Sequence, residues 1–221
     1  MIPPEHNADF VAHMEDVLAV YERPYDPDHP VVCMDEQPTQ LIEETRTKIE
    51  GYPGHPERYD FEYKRNGTAV NFLFTEPLAD WRKVMVRPRR TQVDWAQEIR
   101  TLLEDDYPDV PKIRLVCDNL NTHTIASLYA AFPPEIARRL VERLEFHFTP
   151  KHGSWLNIAE IELSILTQQC LDRRIPSLEE LRKEAEAWGR RRNAEKKTVD
   201  WQFTAANARI KLKRLYPQFK S

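Results

Sequence analysis

Three acidic residues of this chain lie next to segments that could hold a carboxylate rigidly. Asp35 follows the apolar residues 31–34, Asp118 follows the strand-like residues 113–117, and Glu160 lies within the largely apolar residues 155–161. Buried carboxylates are costly unless a cation compensates them, and three brought together would repel one another. Carboxylate oxygens suit Mg²⁺ and Mn²⁺, and two-metal carboxylate sites carry out in-line phosphoryl displacement. The three acids therefore predict metal-dependent nucleic-acid chemistry.

Each acid also has a plainer interpretation, and the neighbouring residues favour the metal site. Either aspartate could simply begin a turn, and Glu160 could be a solvated helix residue. Asp118, however, opens the polar run Asp-Asn-Leu-Asn-Thr-His-Thr. Glu160 shares a helix face with polar residues at positions 157, 164 and 167, whereas Glu162 shares its face with apolar ones. Glu160 is therefore the better candidate ligand.

Hydrophobic periodicity predicts the elements that position these acids. Helices are expected over residues 7–22, 91–103, 125–132, 135–143, 156–171, 177–192 and 205–215. Strands are expected over residues 31–34, 61–64, 68–75, 81–86, 113–117 and 144–148, with a hairpin turn at Asn66-Gly67 and a loop with a short helical piece over 38–60. This order predicts a mixed sheet flanked by helices, in which the strands over 31–34 and 113–117 end side by side.

Composition indicates a globular protein with one substantial core. The chain has 221 residues, of which 41% are hydrophobic and 31% charged. No apolar run approaches the roughly 20 residues of a membrane span, and the first residues do not resemble a signal peptide. The cysteines Cys33, Cys117 and Cys170 have no paired spacing, which favours reduced residues in a cytoplasmic protein.

The net charge of −4 conceals an uneven distribution. Residues 1–60 carry 14 acids and 4 bases, whereas residues 171–221 carry 14 bases and 7 acids. A second basic cluster precedes the predicted helix at 91–103, and a loop beside the last motif is also basic. Candidate phosphate contacts are accordingly Arg82, Lys83, Arg87, Arg89, Arg90, Lys151 and His152, together with the basic C-terminal helices. His123 and His152 could also position a nucleophile or hold phosphate, although hydrogen bonding within a loop is the plainer role for each.

Three blocks of the sequence occur in order along the chain. They are Cys33-Met34-Asp35-Glu36, then Cys117-Asp118-Asn119-Leu120-Asn121-Thr122-His123, then residues 149–160, Thr-Pro-Lys-His-Gly-Ser-Trp-Leu-Asn-Ile-Ala-Glu. Together they closely resemble the three blocks of bacterial insertion-sequence transposases of the mariner superfamily. The similarity extends from about residue 3 to Pro217. These transposases are DDE enzymes with a ribonuclease-H-like fold, which agrees with the element order above.

The resemblance implies a fold, a site and partners. The fold is an α/β, ribonuclease-H-like, mixed five-stranded sheet flanked by helices. Residues 1–30 would form an N-terminal helix and linker, 31–175 the catalytic core, and 176–221 basic helices packed on it. Asp35, Asp118 and Glu160 would bind two Mg²⁺ or Mn²⁺ ions for DNA strand cleavage and strand transfer. The partners would be element ends and target DNA, with a homodimer in the active complex and no membrane. The protein would be cytoplasmic, at the nucleoid when bound to DNA.

One departure from the family concerns DNA recognition. Members usually carry helix-turn-helix modules before the catalytic domain, and about 30 residues precede the first predicted catalytic strand here. The segment 7–22 is a single acidic amphipathic helix, better suited to packing on the core than to binding phosphate. The isolated chain is therefore expected to bind DNA weakly and without sequence preference.

Other functions are compatible with parts of the sequence. A zinc site from Cys117, His123, His147 and His152 lacks the usual ligand spacing. A cysteine nucleophile has no evident activating partner. A non-catalytic DNA-binding transposase remnant and a metal-dependent nuclease without strand transfer both stay open. A strand-transfer assay would separate them from a transposase.

Overall fold

Five strands form one mixed sheet at the centre of the protein. The computed structural model describes residues 7–46, 51–56 and 62–217. The strands are β1 (Val31–Glu44), β2 (Tyr63–Glu76), β3 (Trp81–Arg87), β4 (Ile113–Asp118) and β5 (Leu144–Thr149). Their order is β3-β2-β1-β4-β5, with β1, β2 and β3 antiparallel and β1, β4 and β5 parallel. The predicted mixed five-stranded sheet is confirmed.

Helices cover both faces of this sheet, and each predicted helix is present. They are α1 (Ala8–Tyr21), α2 (Gln92–Thr101), α3 (Ile125–Ala131), α4 (Pro134–Glu142), α5 (Ile158–Leu166), α6 (Leu178–Ala194) and α7 (Ala205–Lys211). Both α2 and α5 continue into a wider, π-helical turn. Side-chain caps explain where several helices begin: Asn7 accepts a hydrogen bond from Phe10 N, and Ser177 accepts one from Glu180 N.

Alternation along the central strands divides the core into two layers. On β1, Val32 and Met34 pack on one face with Trp95 of α2 and the residues of α3 and α4. Cys33, between them, packs on the other face with Met14 of α1 and Leu163 of α5. Successive side chains of a strand point to opposite faces, so one apolar run supplies both layers. None of the helices in the described part of the chain has the length and apolar character to span a membrane.

The predicted hairpin at Asn66-Gly67 is wrong, because β2 runs straight through it. Gln40 pairs with Thr68 and Ile42 with Arg65, so Leu41 alone faces two residues, Asn66 and Gly67. Gly67 has a φ of 93°, the conformation that a glycine supplies to a β-bulge. An Asn-Gly pair favours positive φ whether the chain turns or bulges, and only the partner strand decides which occurs.

The partner strand β1 is also longer than predicted. It continues to Glu44, so residues 38–44 are strand rather than loop, and Asp35 lies within β1 instead of ending it. The predicted loop over 38–60 includes residues 47–50 and 57–60, and the predicted strand over 61–64 begins with residue 61. These residues lie outside the described part of the chain.

If the bulge depends on the positive φ of Gly67, replacing Gly67 and Gly189 with alanine should affect the stability of the protein differently. Gly67→Ala should destabilise the protein by about 1–2 kcal/mol, because an L side chain is strained in this conformation. Gly189→Ala, inside α6, should be neutral or stabilising by up to about 1 kcal/mol, because alanine is the better helix former. Neither added Cβ would meet an atom within 4 Å, so backbone conformation is the variable that differs. Urea unfolding of both variants measures the contrast, and equal effects would contradict the bulge.

Candidate active site

Parallel pairing of β1 with β4 brings the two aspartates together. Cys33 pairs with Val116, and the same register continued for two residues places Asp35 beside Asp118. Asp118 is the last residue of β4, and Asp35 lies just beyond the part of β1 that pairs with β4. Both carboxylates therefore lie at the carboxyl end of the parallel strands, where ligand sites of such sheets form.

Glu160 reaches the same place from the first turn of α5. Asn157 caps this helix, since its Oδ1 accepts a hydrogen bond from Ala159 N at 3.1 Å. The amide of the same side chain donates to the carbonyl oxygen of Met34 at 2.9 Å. Asn157 is buried, so the start of α5 is fixed to the residue before Asp35. Glu160 itself is exposed and lines one open groove with Asp35.

The charges at the site act on one another. The pKa of Asp35 is raised to about 7, mainly by burial and in addition by the negative charges of Asp118 and Glu160, while a hydrogen bond from Glu36 N and the charge of His123 lower it. Asp35 is thus electrostatically coupled to both other predicted ligands. Among residues 7–46, 51–56 and 62–217, no three His, Cys, Asp or Glu side chains are already gathered at metal-binding distance. The acids share a site without forming a closed coordination shell.

The donors fit a hard divalent cation. Oε2 of Glu36 is buried and accepts no hydrogen bond of good geometry from the described residues, so it lacks the partner that would offset its desolvation. Oδ1 of Asp118 is also buried, and Nδ1 of His123 lies 2.6 Å from it. Oxygen donors of this kind suit Mg²⁺ or Mn²⁺.

Sequence reasoning missed a buried pair that supports Asp118. His123 is fully buried, with Nδ1 at 2.6 Å from Oδ1 of Asp118 and Nε2 at 2.9 Å from Oε1 of Glu36. The indole of Trp95 stacks on its ring at 5.6 Å. Burial lowers the pKa of His123, but the two carboxylates outweigh it and raise the pKa to about 9. A buried His123 cannot reach a phosphate, so that suggested role is wrong. The available signal was Glu36, an acid directly after Asp35.

Glu160 and Glu162 differ sharply in their surroundings. The Glu162 carboxylate is fully buried, at 3.2 Å from Arg82 Nε and 3.0 Å from Arg192 Nη2. Glu160 points instead to the groove beside Asp35. The geometry therefore favours Glu160 as the third ligand, which stays a prediction.

The proposed phosphate contacts separate into two groups. The prediction that Arg82 contacts phosphate is wrong, because its side chain is fully buried against Glu162 and cannot touch DNA. Lys83 and Arg87 are half-buried and paired with Asp106 and Glu98. The sequence pattern could not distinguish these from solvated bases, because their acidic partners lie on other elements.

The remaining basic candidates are exposed. Arg89 and Arg90 follow β3 on the surface. Lys151 and His152 lie in the loop after β5, and they line a cleft together with Asp118 and Asn119. His152 has a φ of 67°, so the backbone there turns sharply. Lys151 and His152 are therefore the candidate contacts nearest the acids.

The alternative sites find no support in the geometry. His147 contacts Asp16 at 2.8 Å and Glu145 at 3.1 Å, away from the other proposed zinc ligands. Cys33 and Cys117 are buried, and burial raises the pKa of Cys33 to about 12, which disfavours a thiolate nucleophile.

Comparisons with known proteins agree with this fold. The family described as "DDE superfamily endonuclease" matches residues 30–182. A Mos1 transposase paired-end complex with left transposon end is 16% identical at a TM-score of 0.58, over 89% of this chain and 60% of that one. A Mos1 mariner paired end complex with Mn is 17% identical at 0.58, over 89% and 59%. The catalytic domain of Mos1 mariner transposase is 12% identical at 0.55, over 86% and 85%.

These likenesses confirm the ribonuclease-H-like fold. At such low identity they show the fold alone. The chain spans about 60% of the length of the Mos1 chains in the paired-end complexes. A sequence search of curated proteins found no match.

The raised pKa of Asp35 predicts how metal-free stability depends on pH. Because the folded carboxyl holds its proton up to about pH 7, against an ordinary value of 3.8, folding takes up a proton between these limits. Asp35 should therefore make the metal-free protein less stable as pH rises from about 4 to about 7. Asp35→Asn should remove this contribution and be more stable than wild type at pH 8.

Urea unfolding in EDTA at pH 5 and pH 8 tests this expectation. The difference between wild type and Asp35→Asn should grow towards pH 8, whereas Asp109→Asn, at an exposed loop position, should show no such trend. If the difference in stability between wild type and Asp35→Asn did not change with pH, the raised pKa of Asp35 would be contradicted.

Proposed function

Because the chain belongs to the DDE superfamily endonucleases, we propose that it is the catalytic domain of a transposase of the mariner superfamily, of the bacterial insertion-sequence type. It would cut DNA strands and join them to a target. The observation that supports this proposal is that Asp35 lines one groove with Glu160 and is electrostatically coupled to both Asp118 and Glu160.

The three acids would hold two divalent cations, Mg²⁺ or Mn²⁺. When bound, such a pair activates an oxygen nucleophile and stabilises the leaving oxygen in an in-line displacement. Asp118 would present its carboxylate to a cation while His123 Nδ1, at 2.6 Å from Oδ1, holds that carboxylate in place. Asp35 is oriented by the hydrogen bond from Glu36 N at 2.8 Å. Glu160, on a capped helix end, would complete the set from across the groove.

DNA is the proposed partner. Lys151 and His152 line the cleft beside Asp118 and would contact the phosphates nearest the cut. Arg89 and Arg90, and the exposed bases of α6 and α7, would extend this contact without reading sequence. A homodimer in the active complex and a location at the nucleoid belong to the same proposal.

A nuclease that cuts without joining is the alternative from the same family, whose description names an endonuclease. The two activities need the same acids and differ in the nucleophile, water or a DNA 3′-hydroxyl. A non-catalytic remnant is disfavoured by the intact acids.

The cleavage chemistry should depend on each acid separately. Asp35→Asn, Asp118→Asn and Glu160→Gln should each reduce Mn²⁺-dependent strand cleavage by more than about 100-fold, since even residues that only support metal ligands contribute about that much. The exposed α4 variant Glu142→Gln is the matched control and should retain activity. The assay uses a labelled duplex with a target plasmid, so joined and merely cut products separate on one gel.

The outcomes distinguish the functions. Joined products support a transposase, and cut products alone support the nuclease. DNA binding without either product would support the non-catalytic, DNA-binding remnant. Undiminished cleavage by any one acid variant would contradict the role of that acid.

DNA affinity should depend steeply on salt and little on duplex sequence. Lys151→Ala should reduce the slope of log affinity against log salt by about 1, as expected for a lost phosphate contact. Arg138→Ala is the control, because α4 leads into the start of β5 and thus lies at the opposite end of that strand from Lys151. Fluorescence anisotropy over a salt series measures both slopes. A shallow wild-type slope would contradict phosphate binding by this chain.

A further inference from the structure

A buried ionic cluster lies behind the helix that carries Glu160. Its members are Arg82 of β3, Glu162 of α5 and Arg192 of α6, whose side chains are 0%, 0% and 9% exposed. Arg82 Nε lies 3.2 Å and Arg192 Nη2 3.0 Å from the Glu162 carboxylate. Two cations therefore enclose one anion in the interior, and none of the three takes part in the proposed chemistry.

Stability alone does not account for this cluster. Removing ions from water costs several kcal/mol each, and apolar replacements of buried ion clusters are often equally or more stable. The Nε atoms of Arg82 and Arg192 also find no hydrogen-bond acceptor of good geometry among the described residues. What the cluster supplies is directional contact, since a planar guanidinium fixes the position of a carboxylate.

The cluster is itself clamped to its surroundings. Asn193 Oδ1 accepts a hydrogen bond from Arg82 N at 2.9 Å, and its amide donates to Arg82 O at 2.9 Å. Arg82 Nη2 donates to the Lys197 carbonyl oxygen at 2.7 Å. The backbone of Arg82 is thus held by the end of α6, and its guanidinium is held by the chain segment just after that helix.

Helix geometry links this clamp to the active site. Successive residues of an α-helix are rotated by about 100° around its axis, so the side chains of residues two apart point in directions roughly 200° apart. With Glu162 fixed towards the cluster, Glu160 must point to the opposite side, which is the groove beside Asp35. Asn157 fixes where α5 begins through its bond to Met34 O, and Glu162 fixes how the helix is rotated.

We infer that Arg82 and Arg192, acting through Glu162, are positioning residues that set the rotation of α5 and hold Glu160 at the metal site. The inference rests on the proposed function insofar as Glu160 is a ligand. None of the three touches substrate or cation.

An apolar replacement of the whole cluster separates positioning from stability. The variant Arg82→Met/Glu162→Leu/Arg192→Met should unfold cooperatively, because no buried charge is left without a partner. Its affinity for Mn²⁺, measured by electron paramagnetic resonance titration of the full chain, should fall about 10-fold to 100-fold, as for other groups that orient metal ligands. The control Arg138→Met/Glu142→Leu, an exposed pair on α4, should bind Mn²⁺ like wild type.

A double-mutant cycle with Glu160→Gln tests the route of the effect. If the cluster acts through Glu160, its replacement should cause no further loss of Mn²⁺ affinity in the Glu160→Gln protein. Equal losses in both backgrounds, or a folded cluster variant with wild-type affinity, would overturn the inference. If the triple variant does not fold, Glu162→Gln is the second variant, with a smaller loss expected in the same direction and unchanged affinity counting against positioning.

Failure of the proposed function would look different. A wild-type chain whose Mn²⁺ binding is absent, or is unaffected by Asp35→Asn, would overturn the metal site and the positioning role with it. Mn²⁺ binding that needs Asp35 and Glu160 but ignores the cluster would overturn the positioning role alone.

Discussion

Parallel pairing of β1 and β4 is the constraint on which the rest of the structure depends. It brings Asp35 and Asp118 side by side just beyond the point where the pairing of the two strands ends. Two carboxylates so placed repel each other in a half-buried setting, and the raised pKa of Asp35 reflects burial together with that repulsion. Such an arrangement would be stable where a bound cation offsets the repulsion between the carboxylates and the cost of burying them.

The surroundings of the acids balance charge in two separate layers. Behind Asp118, His123 lies between two carboxylates, and its pKa of about 9 makes it a cation at neutral pH. Behind α5, two arginines enclose Glu162. The first layer touches a candidate ligand directly, and the second reaches Glu160 only through the rotation of its helix. Both layers place fixed positive charge near acids without occupying the groove between Asp35 and Glu160.

The distribution of basic residues is more selective than their number suggests. Arg82 and Arg192 serve the interior, and Lys83 and Arg87 pair with acids on α2 and the turn that follows it. The cleft beside Asp118 keeps Lys151 and His152 exposed. A chain with a net charge of −4 can therefore still present local positive charge to a phosphate backbone at the place where cutting would occur.

The sequence by itself predicted the mixed sheet, the helices and the apolar surroundings of Glu162 as opposed to those of Glu160, because hydrophobic periodicity records which face of each element is buried. It could not distinguish a bulge from a turn at Asn66-Gly67, since both use positive φ and the choice belongs to the partner strand β1. It also treated Arg82 as a surface base. Whether a charged side chain meets water or a buried partner depends on contacts between residues far apart in the chain. Arg82 and Glu162 are 80 positions apart, and so only the tertiary structure placed them together.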